Sequence, residues 1–119
     1  MDVAVNDLTQ IRDALRRFAD ERDWDQFHSP KNLAMALSVE AAELLEHFQW
    51  VDGEASKQPG EAELEEIRAE MADVLLYLIR IADKLGTDLI EAAHAKIKLN
   101  ESKYPVDKSR GSSKKYTEL

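Results

Sequence analysis

At 119 residues the chain suits one compact domain, and 44% apolar with 34% charged residues supply a core, so the chain is expected to fold. Sixteen Lys and Arg against twenty-four Asp and Glu leave a net charge of −8, which argues against a protein that grips a nucleic-acid polymer by its backbone. The absence of cysteine removes disulfides, thiolate metal sites and thiol nucleophiles.

The opening stretch 1–7 has neither a basic start nor an apolar core, so no secretory signal is expected there. The first predicted helix covers about 6–22, with Leu8, Ile11, Leu15 and Phe18 on one side. An aromatic connector follows, Trp24-Asp25-Gln26-Phe27-His28. Ser29 fits an N-cap with Pro30 at the first helical position, opening a second helix that runs to about Trp50. The polar, breaker-rich stretch 51–60 is a loop. A third helix covers about 61–85 and stops at Gly86. Its apolar run 74–79 is far too short to span a bilayer, so a cytoplasmic protein with no membrane partner is expected. Asp88 with Glu91 three later fits a capping box for a fourth helix, ending near Lys103 before Pro105. No segment alternates with period two, so the expected fold is all-α, a four-helix bundle-like protomer. Residues 1–106 form the helical domain, and 107–119 a basic C-terminal tail with Lys108, Arg110, Lys114 and Lys115. That tail reads either as a solvated end or as a flexible flap over an anionic ligand. A domain of this size gains from pairing with a second copy.

The placement of some acids is the informative feature. With about 100° per residue on a helix, Glu40 and Glu43 share a face with Leu33, Ala36, Leu37 and Leu44. Glu70 and Asp73 share a face with Ile67, Val74, Tyr77 and Ile81. If the two helices are antiparallel neighbours, the four carboxylates converge. Carboxylates crowded on an apolar stripe repel one another and persist when protons or cations neutralise them. Oxygen-only ligands favour a hard cation, Mg²⁺ with Mn²⁺ as a substitute. The bland alternative places these acids at the stripe's edge, reaching water or a lysine. A carboxylate-held Mg²⁺ keeps open positions for substrate phosphates and activates water, which points to hydrolysis of a phosphate ester or anhydride.

Trp24, Phe27, His28 and Trp50 bracket the second helix. They are either ordinary core aromatics or a stacking pocket for a nucleobase, with His28 or Gln26 hydrogen-bonding its edge. Lys96, Asn100 and Lys103 line one face of the fourth helix, as phosphate contacts or as solvated surface.

Three stretches carry a resemblance: Trp24-Asp25-Gln26-Phe27-His28-Ser29-Pro30-Lys31-Asn32-Leu33, then Glu40-Ala41-Ala42-Glu43-Leu44-Leu45-Glu46-His47-Phe48-Gln49-Trp50, then Glu70-Met71-Ala72-Asp73-Val74-Leu75. Together they resemble the MazG-like, all-α nucleoside triphosphate pyrophosphohydrolases. The ending Arg110-Gly111-Ser112-Ser113-Lys114-Lys115-Tyr116-Thr117-Glu118-Leu119 is similar to that of the dCTP pyrophosphatase group. The resemblance implies Mg²⁺-dependent cleavage of a nucleoside triphosphate, dCTP or a modified dCTP, to monophosphate and pyrophosphate, in sanitation of the nucleotide pool. It implies Glu40, Glu43, Glu70 and Asp73 as metal ligands. It places Trp24, Asp25, Gln26, Phe27, His28, Trp50 and Tyr77 around the nucleotide. It also implies a homodimer or dimer of dimers, with base pockets completed across subunits. One departure stands out: vertebrate members carry a substrate-contacting histidine where Leu15 falls here. Within this mechanism Glu43 is expected to orient the attacking water.

Three rivals differ in kind. A dUTP-hydrolysing relative shares the metal site and differs in base recognition. A non-catalytic acidic helical module would bind a basic partner. A ferritin-like di-iron protein needs two Glu-x-x-His pairs, and only Glu91 with His94 has that spacing.

Overall fold

The structure, a computed structural model, describes residues 7–119. The expected helix start at Asn6, and all but the last residue of the stretch examined for a signal, lie outside the described residues. Helix α1 (Leu8–Glu21) begins at Asp7, whose Oδ1 accepts from the Gln10 backbone N–H at 2.8 Å. It ends in a left-handed turn at Asp23, φ 54°, a conformation that Asp tolerates through its short polar side chain. The Trp24 N–H reaches back to the Ala19 carbonyl at 2.9 Å, the long bond of a Schellman-type stop. A 3₁₀ turn, Asp25–Phe27, follows.

Helix α2 (Pro30–Glu46) opens as its sequence dictates: Ser29 Oγ accepts from the Asn32 N–H at 3.1 Å and Pro30 occupies the first turn. It stops at Glu46, short of the expected end near Trp50. Beyond it the chain tightens, with His47 N–H donating to Leu44 at 3.3 Å and Phe48 N–H to Leu45 at 2.9 Å. Apolar periodicity persists through such turns, so it overstates the helix. The loop 51–60 carries a 3₁₀ turn, Ala55–Lys57, whose Ala55 N–H donates to Asp52 Oδ1 at 2.8 Å.

Helix α3 (Glu61–Lys84) ends at Gly86, whose φ of 60° is the left-handed position that favours glycine. It packs mainly against α2 and also against α1. Glu40 faces Glu70, and farther along His47 Nδ1 lies 3.7 Å from Glu63 Oε1, so α2 and α3 run antiparallel. Ala19, Leu33, Ile67, Ile79 and Ala82 are buried where the three helices meet. Hiding each of the larger side chains stabilises this unit by roughly 1.5–3 kcal/mol.

The chain divides into two compact units, one up to Gly86 and one over Thr87–Leu119. In the second, Asp88 Oδ1 caps α4 (Leu89–Lys103) by accepting from the Glu91 N–H at 3.0 Å. A fifth short helix, α5 (Val106–Ser109), corrects the expected count of four. Pro105 ends α4 and at once starts α5, since its fixed φ of −61° suits a helix entrance. Tyr116 returns to the end of α4, edge-on to Tyr104 with ring centroids 6.1 Å apart and with Lys103 Nζ 4.7 Å from its ring centre. No strand occurs among the described residues, and none of their helices is long and apolar enough to cross a membrane.

Candidate active site

The antiparallel register of α2 and α3 sets Glu40 and Glu43 against Glu70. One carboxylate oxygen from each lies within 4.8 Å of the others. Glu40 Oε2 and Glu70 Oε2 are both buried and accept no hydrogen bond from the protein. Burial, followed by the crowding of Glu43, Glu70 and Asp73, pushes the Glu40 carboxyl up to about 7. Glu70 is raised as well, by burial first and then by Glu43 and Asp73, with Glu40 pulling the other way. Buried acceptors without donors are rare in folded proteins. A divalent cation fits this trio: it is all oxygen, it is short of positive charge, and its oxygens stand close enough to share one ion.

Asp73, one turn beyond Glu70 on α3, lies within electrostatic reach of Glu40 and Glu70 and also lines a neighbouring cavity of about 420 Å³. Its walls are Ile11, Leu15 and Phe18 from α1, Trp24 and His28 from the connector, and Leu76 and Tyr77 from α3. Trp24 meets Phe18 edge-to-face at 5.7 Å between ring centroids. Such a volume suits a small ligand, and the lining is mostly apolar with few polar groups.

Arg80 also lines the cavity, and it is only 6% exposed. A buried guanidinium requires partners for its donors. Nη2 bonds Asp25 Oδ1 at 2.6 Å, Nη1 bonds Asp83 Oδ2 at 3.3 Å, and Nε bonds His28 Nδ1 at 3.2 Å. Lys84 also bonds Asp25, and Arg16 bridges from α1 to Asp83 at 2.8 and 2.5 Å. The Lys84 hydrogen bond holds the Asp25 carboxyl below its ordinary value, and the Arg16 bond does the same for Asp83. Burial, then the charges of Arg80 and Lys84, push His28 down, with only Asp25 opposing.

The expected site residues therefore fall into groups. Glu40, Glu43 and Glu70 converge, with Asp73 beside them. Trp24, His28 and Tyr77 line the cavity. Asp25 anchors Arg80, while the Gln26 amide turns back to Asp23 Oδ2 at 3.1 Å, and neither lines the cavity. Phe27 is exposed, and Trp50 is 88% exposed just beyond α2. Lys96, Asn100 and Lys103 lie on α4, in the second unit.

Sequence reasoning missed Arg80. The signal was a lone cation directly after the apolar run 74–79, one turn beyond Tyr77 on the same face. Of its acidic partners, Asp83 stands at i+3 on the same helix, while Asp25 lies in the connector and no local pattern links it to Arg80.

Comparison with known proteins agrees with this geometry. The MazG-like family model matches residues 35–119. Human (Homo sapiens) dCTP pyrophosphatase 1 is 45% identical over 114 residues, spanning 94% of this chain and 67% of that protein. The mouse (Mus musculus) dCTP pyrophosphatase 1 is 43% identical over 117 residues, with the same shares. Among solved structures, a pyrophosphatase from Archaeoglobus fulgidus matches with a TM-score of 0.74 at 39% identity, covering 88% of this chain and 98% of that one. With most of its length matched by the family model and by relatives of this identity, the chain belongs to the MazG-like family.

Proposed function

We propose that this MazG-like pyrophosphohydrolase cleaves dCTP, or a modified dCTP, between the α- and β-phosphates in the cytoplasmic nucleotide pool. Mg²⁺ is the proposed resident cation, with Mn²⁺ as a substitute. The observation that carries this reading is the position of Asp73, which lines the cavity and lies within electrostatic reach of Glu40 and Glu70. A base held in the cavity extends its triphosphate past Asp73 toward Glu40, Glu43 and Glu70.

These four carboxylates would hold the cation. Bound there, it supplies positive charge to the phosphoryl oxygens and makes a coordinated water more acidic. Glu43 orients the attacking water, whose oxygen bonds to the α-phosphorus as the bond to the bridging oxygen breaks and pyrophosphate leaves. Trp24 and Tyr77 flank the base, and stacking on such rings contributes about 1–3 kcal/mol per base. Ile11, Leu15 and Phe18 keep water from that end of the cavity. Asp25 serves indirectly, by holding Arg80 against His28. The assignment of Lys96, Asn100 and Lys103 to phosphate contacts, and of 107–119 to a basic flap, rests on the sequence.

A homodimer or dimer of dimers is part of the proposal. Met35 and Val39 on α2, and Met71, Leu75 and Leu78 on α3, are exposed large apolar residues grouped by helical spacing. A second copy of this chain would cover them, and Trp50 is the exposed aromatic it would reach.

The test is a panel of deoxy- and ribonucleoside triphosphates with Mg²⁺, scored for pyrophosphate against orthophosphate. Cytosine deoxynucleotides should give the highest kcat/KM and release pyrophosphate. A preference for dUTP would assign the same cation site to a different base. Orthophosphate as the sole product overturns the cleavage position. No turnover, with a Tm indifferent to Mg²⁺, makes the chain a helical binding module.

A further inference from the structure

We propose that Arg80 is a positioning residue for base selectivity: its Nε–H holds His28 as the Nε2–H tautomer, so the cavity meets the base with a hydrogen-bond donor. This rests on the reading of the cavity as a nucleotide site.

An arginine Nε–H can only donate, so the His28 Nδ1 that it meets at 3.2 Å must offer a lone pair. The ring proton of a neutral imidazole then sits on Nε2. The ring is neutral for physical reasons: it is partly desolvated and faces the cations Arg80 and Lys84, against which Asp25 is the one opposing charge. No other side chain among the described residues bonds the His28 ring, which leaves Nε2–H available to a ligand.

The lock is rigid because Arg80 cannot turn away. Asp25 and Asp83 grip its two Nη atoms, and each acid is itself held, Asp25 by Lys84 and Asp83 by Arg16. Both His28 and Arg80 line the cavity that Trp24 and Tyr77 flank. A fixed donor discriminates by what it leaves unpaired. Cytosine presents acceptors at O2 and N3. Uracil carries a hydrogen on N3, which would confront the His28 N–H donor to donor.

Two measurements test this on the full chain. The first is the ¹⁵N spectrum of the His28 ring without nucleotide. A pyridine-type Nδ1 with a pyrrole-type Nε2 is expected, giving way to a tautomer mixture in Arg80→Met. A protonated Nδ1 in the wild type overturns the proposal. The second is the ratio of kcat/KM for dCTP over dUTP. It should fall about tenfold in Arg80→Met, mainly through KM. Adding His28→Gln to that variant places an amide donor near the Nε2 position and should restore the ratio. Arg80→Met leaves Asp25 with Lys84 and Asp83 with Arg16, so neither acid is orphaned. Arg80→Lys keeps the buried charge, lacks Nε–H, and should lose the ratio as well. An unchanged ratio in both single variants overturns the proposal and leaves the hydrolase reading standing. Failure of the wild type to act on any nucleotide overturns the hydrolase reading, and this one with it.

Discussion

Glu40 on α2 and Glu70 on α3 face each other with one oxygen apiece buried and without a donor. In the metal-free protein this relationship makes stability depend on pH in an unusual direction. Glu40 titrates near 7 in the folded chain against an ordinary 4.5, so folding takes up a proton between those values. Its contribution is full below about 4.5 and is lost as pH rises through about 7. The proposed Mg²⁺, if held there, would displace that proton and reverse the trend, since a cation binds only the ionised cluster. Thermal melts from pH 5 to pH 8 should show Tm falling with pH in EDTA, and a Mg²⁺-induced rise that grows with pH. Parallel curves with and without Mg²⁺ would remove the cation from this cluster.

Carboxamides at the same site separate charge from shape. Glu43→Gln and Asp73→Asn keep the volume and remove a ligand charge, so turnover should fall by roughly 10²-fold or more. In EDTA both variants should melt no lower than the wild type, because like-charge crowding is relieved. The checks are pyrophosphate release and Tm on the same preparations. Full activity in either variant would take that residue out of the machinery.

Much of the acidic site could be read from one dimension, and much of the cavity could not. The acids Glu40, Glu43, Glu70 and Asp73 announce themselves because carboxylates on an apolar helical stripe conflict with burial, and that conflict is visible at i, i+3 spacing. Caps at Ser29 and Asp88 are equally local, and the structure bears them out. The partners of Gln26 and Asp25 were not legible: the turn at Asp23 draws the Gln26 amide back onto Asp23, and Arg80 binds the Asp25 carboxylate. The Asp25 contact depends on α3 passing the connector, which no spacing within the connector reveals. The fifth helix was hidden because proline both ends one helix and starts another.

Asp83 offers a stability test remote from the acidic cluster. Its side chain and that of Arg80 are 9% and 7% exposed, and Arg16 joins them from α1. Asp83→Asn leaves two guanidinium groups sharing a neutral amide. Breaking such a buried pair costs about 3 kcal/mol, which urea denaturation should register as a lower midpoint at unchanged slope. The Asp83 carboxyl is held below its ordinary value, so its contribution is present above that value and lost as pH falls. Wild type and variant should therefore converge in strong acid. A constant gap down to low pH would mean that the loss is one of packing.

Trp24 and Trp50 make a paired prediction about where the base sits. Trp24 lines the cavity against Phe18, so Trp24→Ala should raise KM by the equivalent of about 1–3 kcal/mol with kcat nearly unchanged. Trp50 is exposed in the single chain, and its effect on KM should depend on assembly. Met71→Glu places a charge on the exposed apolar face of α3, where Met71, Leu75 and Leu78 line up. Light scattering should then give the monomer mass. In that monomer Trp50→Ala should no longer change KM, while Trp24→Ala still should. An assembly mass unmoved by Met71→Glu would put the subunit interface on another face, and a Trp50 effect that survives in the monomer would place that ring in its own protomer's site.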